Sequence, residues 1–226
     1  MIITFIHFMN SVCLSIVISS SPAGSVYIRC KSEKTMTIQV KVAIAYHSGY
    51  GHTEVLANAV ATGVENAGAV AQTISVADLD NLNWDALADA DAIIFGSPTY
   101  MGSVSGPFKT FMDASSKIWM EQGWKDKLAA GFTNSASQSG DKLNTLIQLS
   151  IYAAQQGMNW VSLGLLPGNN SSQGGPTDLN RIGSYLGAMA QSNADEGAEV
   201  TPPQADRDTA QALGARVAAA ALRWKQ

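Results

Sequence analysis

Between residues 40 and 165 the chain alternates short, nearly unbroken apolar runs with stretches whose apolar residues recur every three or four positions. Few folds accept that alternation. A strand that is apolar on both faces has to be buried on both, which calls for a parallel sheet with helices above and below it. Residues 40–46 are the first such run, and Val55, Leu56, Ala59, Val60 and Val64 then share one face of a helix over 54–68. Residues 70–76 read as the second strand and 92–96, after a helical stretch around 84–90, as the third. Pro107, with its fixed φ and missing N–H, suits the start of a helix capped by Ser105 or Gly106. A fourth strand over 128–133, a helix over 143–156, a fifth strand over 159–165 and an alanine-rich helix over 207–224 complete the pattern. The expected class is α/β, a three-layer sandwich on a five-stranded parallel sheet of order 2-1-3-4-5.

The 226 residues suffice for one sizeable core, so one domain over 36–226 is expected. A formal net charge of −4, without clustered Lys or Arg, argues against nucleic-acid binding. Cys13 and Cys30 both precede that domain, which therefore has no disulfide scaffold, no cysteine metal site and no thiol nucleophile. Redox chemistry in it requires a bound cofactor. Residues 1–20 are apolar but broken by His7, Asn10 and several hydroxyl residues, with no Lys or Arg before Arg29. They suit neither a signal peptide nor a membrane span. Met36 stands just before the first strand, so 1–35 are expected to be an upstream extension of the reading frame or a disordered tail, with a weak export signal or anchor as the alternative. A cytoplasmic protein without a membrane partner is the corresponding expectation.

In an open α/β sheet ligands bind at the carboxyl ends of the strands, where the winding direction switches. Three polar loops fall there. In His47-Ser48-Gly49-Tyr50-Gly51-His52-Thr53 the glycines let backbone N–H groups approach a ligand, Ser48 and Thr53 add hydroxyls, and the following helix start favours an anion. That is a phosphate site without a lysine. It is not a P-loop, and Glu54 stands where a dinucleotide fingerprint needs its third glycine. Glycines alone would merely permit a tight turn. The second loop, Ser97-Pro98-Thr99-Tyr100-Met101-Gly102-Ser103, offers flat, polarisable surface for a ring system at Tyr100 and Met101. The third, Thr133-Asn134-Ser135-Ala136-Ser137-Gln138-Ser139-Gly140, is dense in short hydroxyl and amide groups that also cap helices and fill turns. His47 and His52 lack the third ligand a metal site needs, so no metal is expected.

Together, Ser48-x-Tyr50-Gly51-His52-Thr53 and Gly96-Ser97-Pro98-Thr99 resemble the flavodoxin-like NAD(P)H:quinone oxidoreductases of the Trp-repressor-binding-protein type and the related flavodoxin-family FMN reductases. The likeness covers most of residues 39–226. It implies a flavodoxin-like sandwich that binds FMN, with phosphate in the loop Ser48, Gly49, Tyr50, Gly51, His52 and Thr53. The isoalloxazine would then lie against Pro98, Thr99, Tyr100, Met101 and Gly102 and against Asn134, Ser135, Ala136, Ser137, Gln138 and Ser139. It further implies that Tyr50 also meets the nicotinamide cofactor, that Trp119 lies near the substrate pocket, and that the protein is a homodimer or homotetramer. Two departures stand out. The third loop is usually glycine-rich in this family, and the flavin-proximal histidine before Gly-Met is here Gln156, before Gly157-Met158.

The chemistry expected is two-electron transfer from NADH or NADPH through FMN to a quinone or similar small acceptor, the protein mainly orienting the partners. No side-chain acid is required; His52 is a candidate proton donor or else a capping residue. Trp119 and Trp124 fill the core or wall a pocket, and residues 167–203 form a lid, a subunit contact or a surface loop. An electron carrier and a non-catalytic regulatory protein are the alternatives. The modest acidity of residues 36–226 favours the enzyme over the carrier.

Overall fold

The computed structural model describes residues 39–226 in full and, ahead of them, the backbone of two strands, Ser15–Ser20 and Val26–Lys31. These two pair antiparallel, Ser15 opposite Lys31 and Ser20 opposite Val26, in a unit (Met1–Ile38) separate from Gln39–Gln226. The rest of the extension expected over 1–35, and Met36 itself, lie outside the described residues.

In the larger unit the first strand, β1 (Lys41–Tyr46), shows why its run is unbroken: successive side chains enter two different cores. Val42, Ile44 and Tyr46 face one side with the helix α1 (His52–Asn66), whereas Ala43 and Ala45 face the other, and all five are buried. α1 buries Leu56, Val60 and Val64, spaced by four, each contributing about 2 kcal/mol through removal from water. Beside β1 run β2 (Val70–Ser75) and, after the short helix α2 (Trp84–Asp89), β3 (Ala92–Tyr100), both parallel to it.

β3 is longer than expected. The segment taken as a second polar loop is largely strand to Tyr100, which turns at Met101 and Gly102 (φ 48° and 76°) into the two-residue strand β4 (Ser103–Val104). Two successive positive φ values make this the kind of turn that matches strand twist. The helix at Pro107 is α3 (Gly106–Ala114), with Ser105 as N-cap, followed by α4 (Ser116–Met120). β5 (Leu128–Ser135) joins β3 in parallel, and α5 (Lys142–Gln155) returns along the sheet.

The fifth strand position differs from the single run expected over 159–165. β6 (Asn159–Trp160) pairs only with Leu128 and Ala129, at the start of β5. The chain then leaves the sheet and re-enters as β7 (Ala188–Gln191), which pairs with Phe132 to Ser135 at the far end. Steric contact decides the split: the Trp160 ring lies over Gly131, where a Cβ would come within 2.8 Å of it, and Gly187 approaches the Gly131 carbonyl, 2.2 Å from its own would-be Cβ. The main path of the sheet is thus β2-β1-β3-β5-β6, flavodoxin-like, with β4 and β7 added. α6 (Gln204–Trp224) begins three residues earlier than expected. It crosses α1 at backbone contact, because a Cβ at Gly214 would lie 2.0 Å from the Val60 carbonyl oxygen.

Candidate functional site

The carboxyl edge of β1 ends in a helix start with nothing capping it. Gly51 is the N-cap of α1 at φ 86°, with no side-chain cap, and Val55 N–H to Gly51 O (3.1 Å) is the first backbone bond of the turn. The N–H groups of His52, Thr53 and Glu54 are left for a ligand, at the end of the helix where its dipole favours an anion. Beside them the Ser48 hydroxyl is buried without any hydrogen-bond partner. Gly49 packs under Tyr100, whose hydroxyl would lie 2.6 Å from a Cβ there, and a Cβ at Gly51 would meet the Ala198 side chain at 2.9 Å. A cradle of bare backbone, an orphaned hydroxyl and free N–H groups fits a phosphomonoester such as that of FMN.

His47 belongs to the frame. Its N–H donates to Gly96 O (3.0 Å), its Nδ1 lies 2.9 Å from Ser105 Oγ, and burial lowers its pKa, so it stays neutral near pH 7. Ser105 N–H in turn donates to Ser97 Oγ at 3.0 Å. Thr99 is also committed inward, its hydroxyl within 2.8 Å of Thr133 Oγ1 and 2.7 Å of Thr145 Oγ1. Pro98 is buried as well, against the expectation that it would face a ring, so among the residues of the β3–β4 hairpin it is Tyr100, Met101 and the half-buried Gly102 that present surface to the edge. Met101 is fully exposed, and Tyr100 stands edge-to-face with the exposed Tyr50, ring centroids 6.3 Å apart. Burial, with Tyr50 beside it, raises the Tyr100 pKa and keeps the phenol protonated.

The third loop lies alongside. Asn134 is buried and its Oδ1 accepts from Ser192 Oγ at 2.9 Å, while Ser135 Oγ donates to Ser137 O at 2.8 Å. Ala136, Ser137, Gln138 and Ser139 are exposed. Two features were not legible in the sequence. Lys142 reaches under the loop with three hydrogen bonds, although nothing around a lone lysine after Gly140-Asp141 marks it as buried. The end of β7 and the segment after it form a fourth wall: Ala198 touches Gly51, Gln191 Nε2 donates to Ala136 O (3.0 Å), and the His52 ring meets Glu196 O through Nε2 at 3.0 Å. His52 thus braces the wall through that nitrogen. The long stretch over 167–203 is correspondingly well bonded, with Arg181 paired to the buried Asp206 at 2.7 Å.

Two expected site residues lie elsewhere. α5 starts beside Ser135 and ends near the start of β5, where Asp126 N–H donates to Gly157 O at 3.0 Å. Gln156 and Trp119 therefore sit at the amino ends of the strands, away from the three loops. There they line a cavity of about 200 Å³ with Lys109, Met112, Asp113 and Tyr152. Gln156 Nε2 donates to Ser115 Oγ (2.8 Å) and its Oε1 is buried without a partner. The Tyr152 hydroxyl shares Ser115 Oγ at 2.7 Å, and its pKa is raised by burial. Trp124 is fully buried core, tilted against Phe95 and Phe111. Among the described residues no group of three or more His, Cys, Asp or Glu could hold a metal ion, and no helix is long and apolar enough to cross a membrane.

A doubly wound sheet with an uncapped helix start, a hairpin and a hydroxyl-rich loop along one carboxyl edge defines a flavodoxin-like flavoprotein. The model of the NADPH-dependent FMN reductase family matches residues 42–169. Flavodoxin FldP of Pseudomonas aeruginosa is 43% identical over 178 residues, 79% of this chain and 95% of that protein. An NAD(P)H dehydrogenase (quinone) of Geotalea uraniireducens is 33% identical over 183 residues, 69% of this chain and 90% of its own. The crystal structure of a WrbA-like flavodoxin from Agrobacterium tumefaciens superimposes with a TM-score of 0.65 at 44% identity, covering 82% of this chain and 99% of that one. The chain belongs to the NADPH-dependent FMN reductase family, which carries with it an oxidoreductase activity with FMN and NAD(P)H as cofactors.

Proposed function

We propose that this protein is a cytoplasmic, homo-oligomeric flavoenzyme that passes two electrons from NADH or NADPH to a quinone or similar small acceptor. The observation that carries the reading is the orphaned Ser48 hydroxyl beside the uncapped start of α1, with Tyr100 and the third loop on either side. Ser48, Thr53 and the first N–H groups of α1 would hold the FMN phosphate. Tyr100, Met101 and the exposed 136–139 backbone would hold the ring, with the buried Pro98 behind them. Bound FMN supplies the hydride-accepting centre; the residues around it bind, orient and exclude water. Tyr50, 79% exposed, is free to move over a second ligand, which suits the nicotinamide. Trp119 and Gln156 stand at the opposite end of the sheet, so a part for them in a flavin site would need a neighbouring subunit, as the expected homodimer or homotetramer would supply.

The test is the visible spectrum of the protein mixed with FMN, followed by NADH and NADPH oxidation with and without benzoquinone. Bound flavin and quinone-stimulated oxidation support the enzyme; failure to bind FMN overturns the assignment of the three loops. A second function, the electron carrier, is favoured by one feature: Asp195, Glu196 and Glu199 gather beside the phosphate loop, an acidic rim suited to a protein partner. It predicts bound flavin that neither nucleotide reduces.

A further inference from the structure

Lys142 is the one fully buried lysine among the described residues, and it occupies the first position of α5, where a cation meets the positive end of the helix dipole. Burial draws its pKa down to about 8. A charge in such a place persists only when bonded, and three acceptors surround it: Ser135 Oγ at 2.9 Å, Ser137 O at 2.9 Å and Gln138 O at 2.8 Å. In a trans peptide the carbonyl and the following N–H point to opposite sides. Two consecutive carbonyls drawn inward onto one ammonium therefore turn the N–H groups of Gln138 and Ser139 outward, onto the exposed face of the third loop. Neither N–H has a hydrogen-bond partner among the described residues. The loop is also held from the side, by Gln191 Nε2 on Ala136 O. The other charged groups near the ammonium are Asp206 of α6 and Arg181, which are paired with each other; Asp141, next in the chain, is exposed.

We propose that Lys142 is a positioning residue for the flavin: its ammonium holds the 137–139 peptides so that Gln138 and Ser139 N–H meet the acceptor oxygens of the pyrimidine edge of the isoalloxazine. This rests on the reading of the three loops as an FMN site. It gives the serine-rich loop a device for presenting backbone donors where glycine's freedom is missing. The charge matters because an ammonium draws both carbonyls at once, which a neutral side chain does weakly.

The test is an FMN titration of the full chain, followed by flavin fluorescence, for wild type, K142M and K142Q, alongside thermal melts of the flavin-free forms. K142M keeps an unbranched side chain, one atom shorter, without the charge, and its Kd is expected to rise about tenfold; K142Q, which retains a donor, should fall between. The wild-type Kd should rise several-fold between about pH 7 and about pH 9.5 as the ammonium loses its proton, whereas that of K142M should follow no such step. The wild-type profile needs no variant, so it decides even if K142M melts early. Equal affinities in all three proteins with no wild-type step overturn the proposal while leaving the flavin site standing. A wild-type chain that binds no FMN overturns the flavin reading itself.

Discussion

A buried hydroxyl without a partner costs a fold about 1–3 kcal/mol, and Ser48 carries that cost in the flavin-free protein. S48A should therefore leave the melting temperature of the flavin-free protein unchanged or slightly raised while weakening FMN binding about tenfold, as read by melts and fluorescence titration. The combination separates a ligand contact from a structural one. Lys142 gives a second prediction, with a sign set by linkage. Its folded pKa, about 8, lies below its ordinary 10.5, so between those values the unfolded chain binds more protons than the folded one. Its contribution to stability is thus unfavourable below pH 8 and improves as pH rises toward 10.5. Melts of the flavin-free wild type should show that upward trend relative to K142M. Ser48 was legible in the sequence because a hydroxyl between a buried strand and a helix start has few other uses. Lys142 was not, because burial of a lysine depends on the carbonyls that a distant loop brings to it.

At the scale of elements, the crossing of α1 and α6 has no room for a side chain. G214A would place a methyl 2.0 Å from the Val60 carbonyl oxygen and should cost about 3 kcal/mol, seen as a lower denaturation midpoint with no change in slope. The segment between β6 and α6 depends on Asp206, whose carboxylate binds Arg181 through two bonds and accepts from Gln191 N–H at 2.9 Å. D206N leaves a partly buried guanidinium without its counter-charge, so a loss of about 2–3 kcal/mol is expected. Hydrogen exchange should then quicken first over residues 180–192. The strands β1 and β5 were legible because both their faces are buried and their sequences are correspondingly apolar throughout. The extension of β3 to Tyr100 was not: Met101 at positive φ carries none of the Asn-Gly signal that announces such a turn, and pairing with β4 together with the Thr99 bonds to Thr133 and Thr145 holds it there.

On the scale of the whole molecule, the unit Gln39–Gln226 contains both cores and all four walls of the candidate site. A chain begun at Met36 should therefore melt as the full chain does and bind FMN with a Kd within about twofold of it, since a domain with its own core folds alone. The two cores lie on opposite faces of one sheet, and the site occupies the edge where the loops from both faces meet. By itself the sequence determined the doubly wound class, the order of the central strands and the polar loops that follow β1 and β5. Each follows from local pattern: period, apolar runs and the placement of glycine and hydroxyl residues at strand ends. Only the tertiary structure decided that the fifth strand position is shared by β6 and β7, that the 192–198 segment walls the phosphate loop, and that Trp119 and Gln156 face away from it. Those outcomes depend on contacts between residues far apart in the chain, such as Trp160 over Gly131 and Ala198 against Gly51, and no local period encodes such contacts.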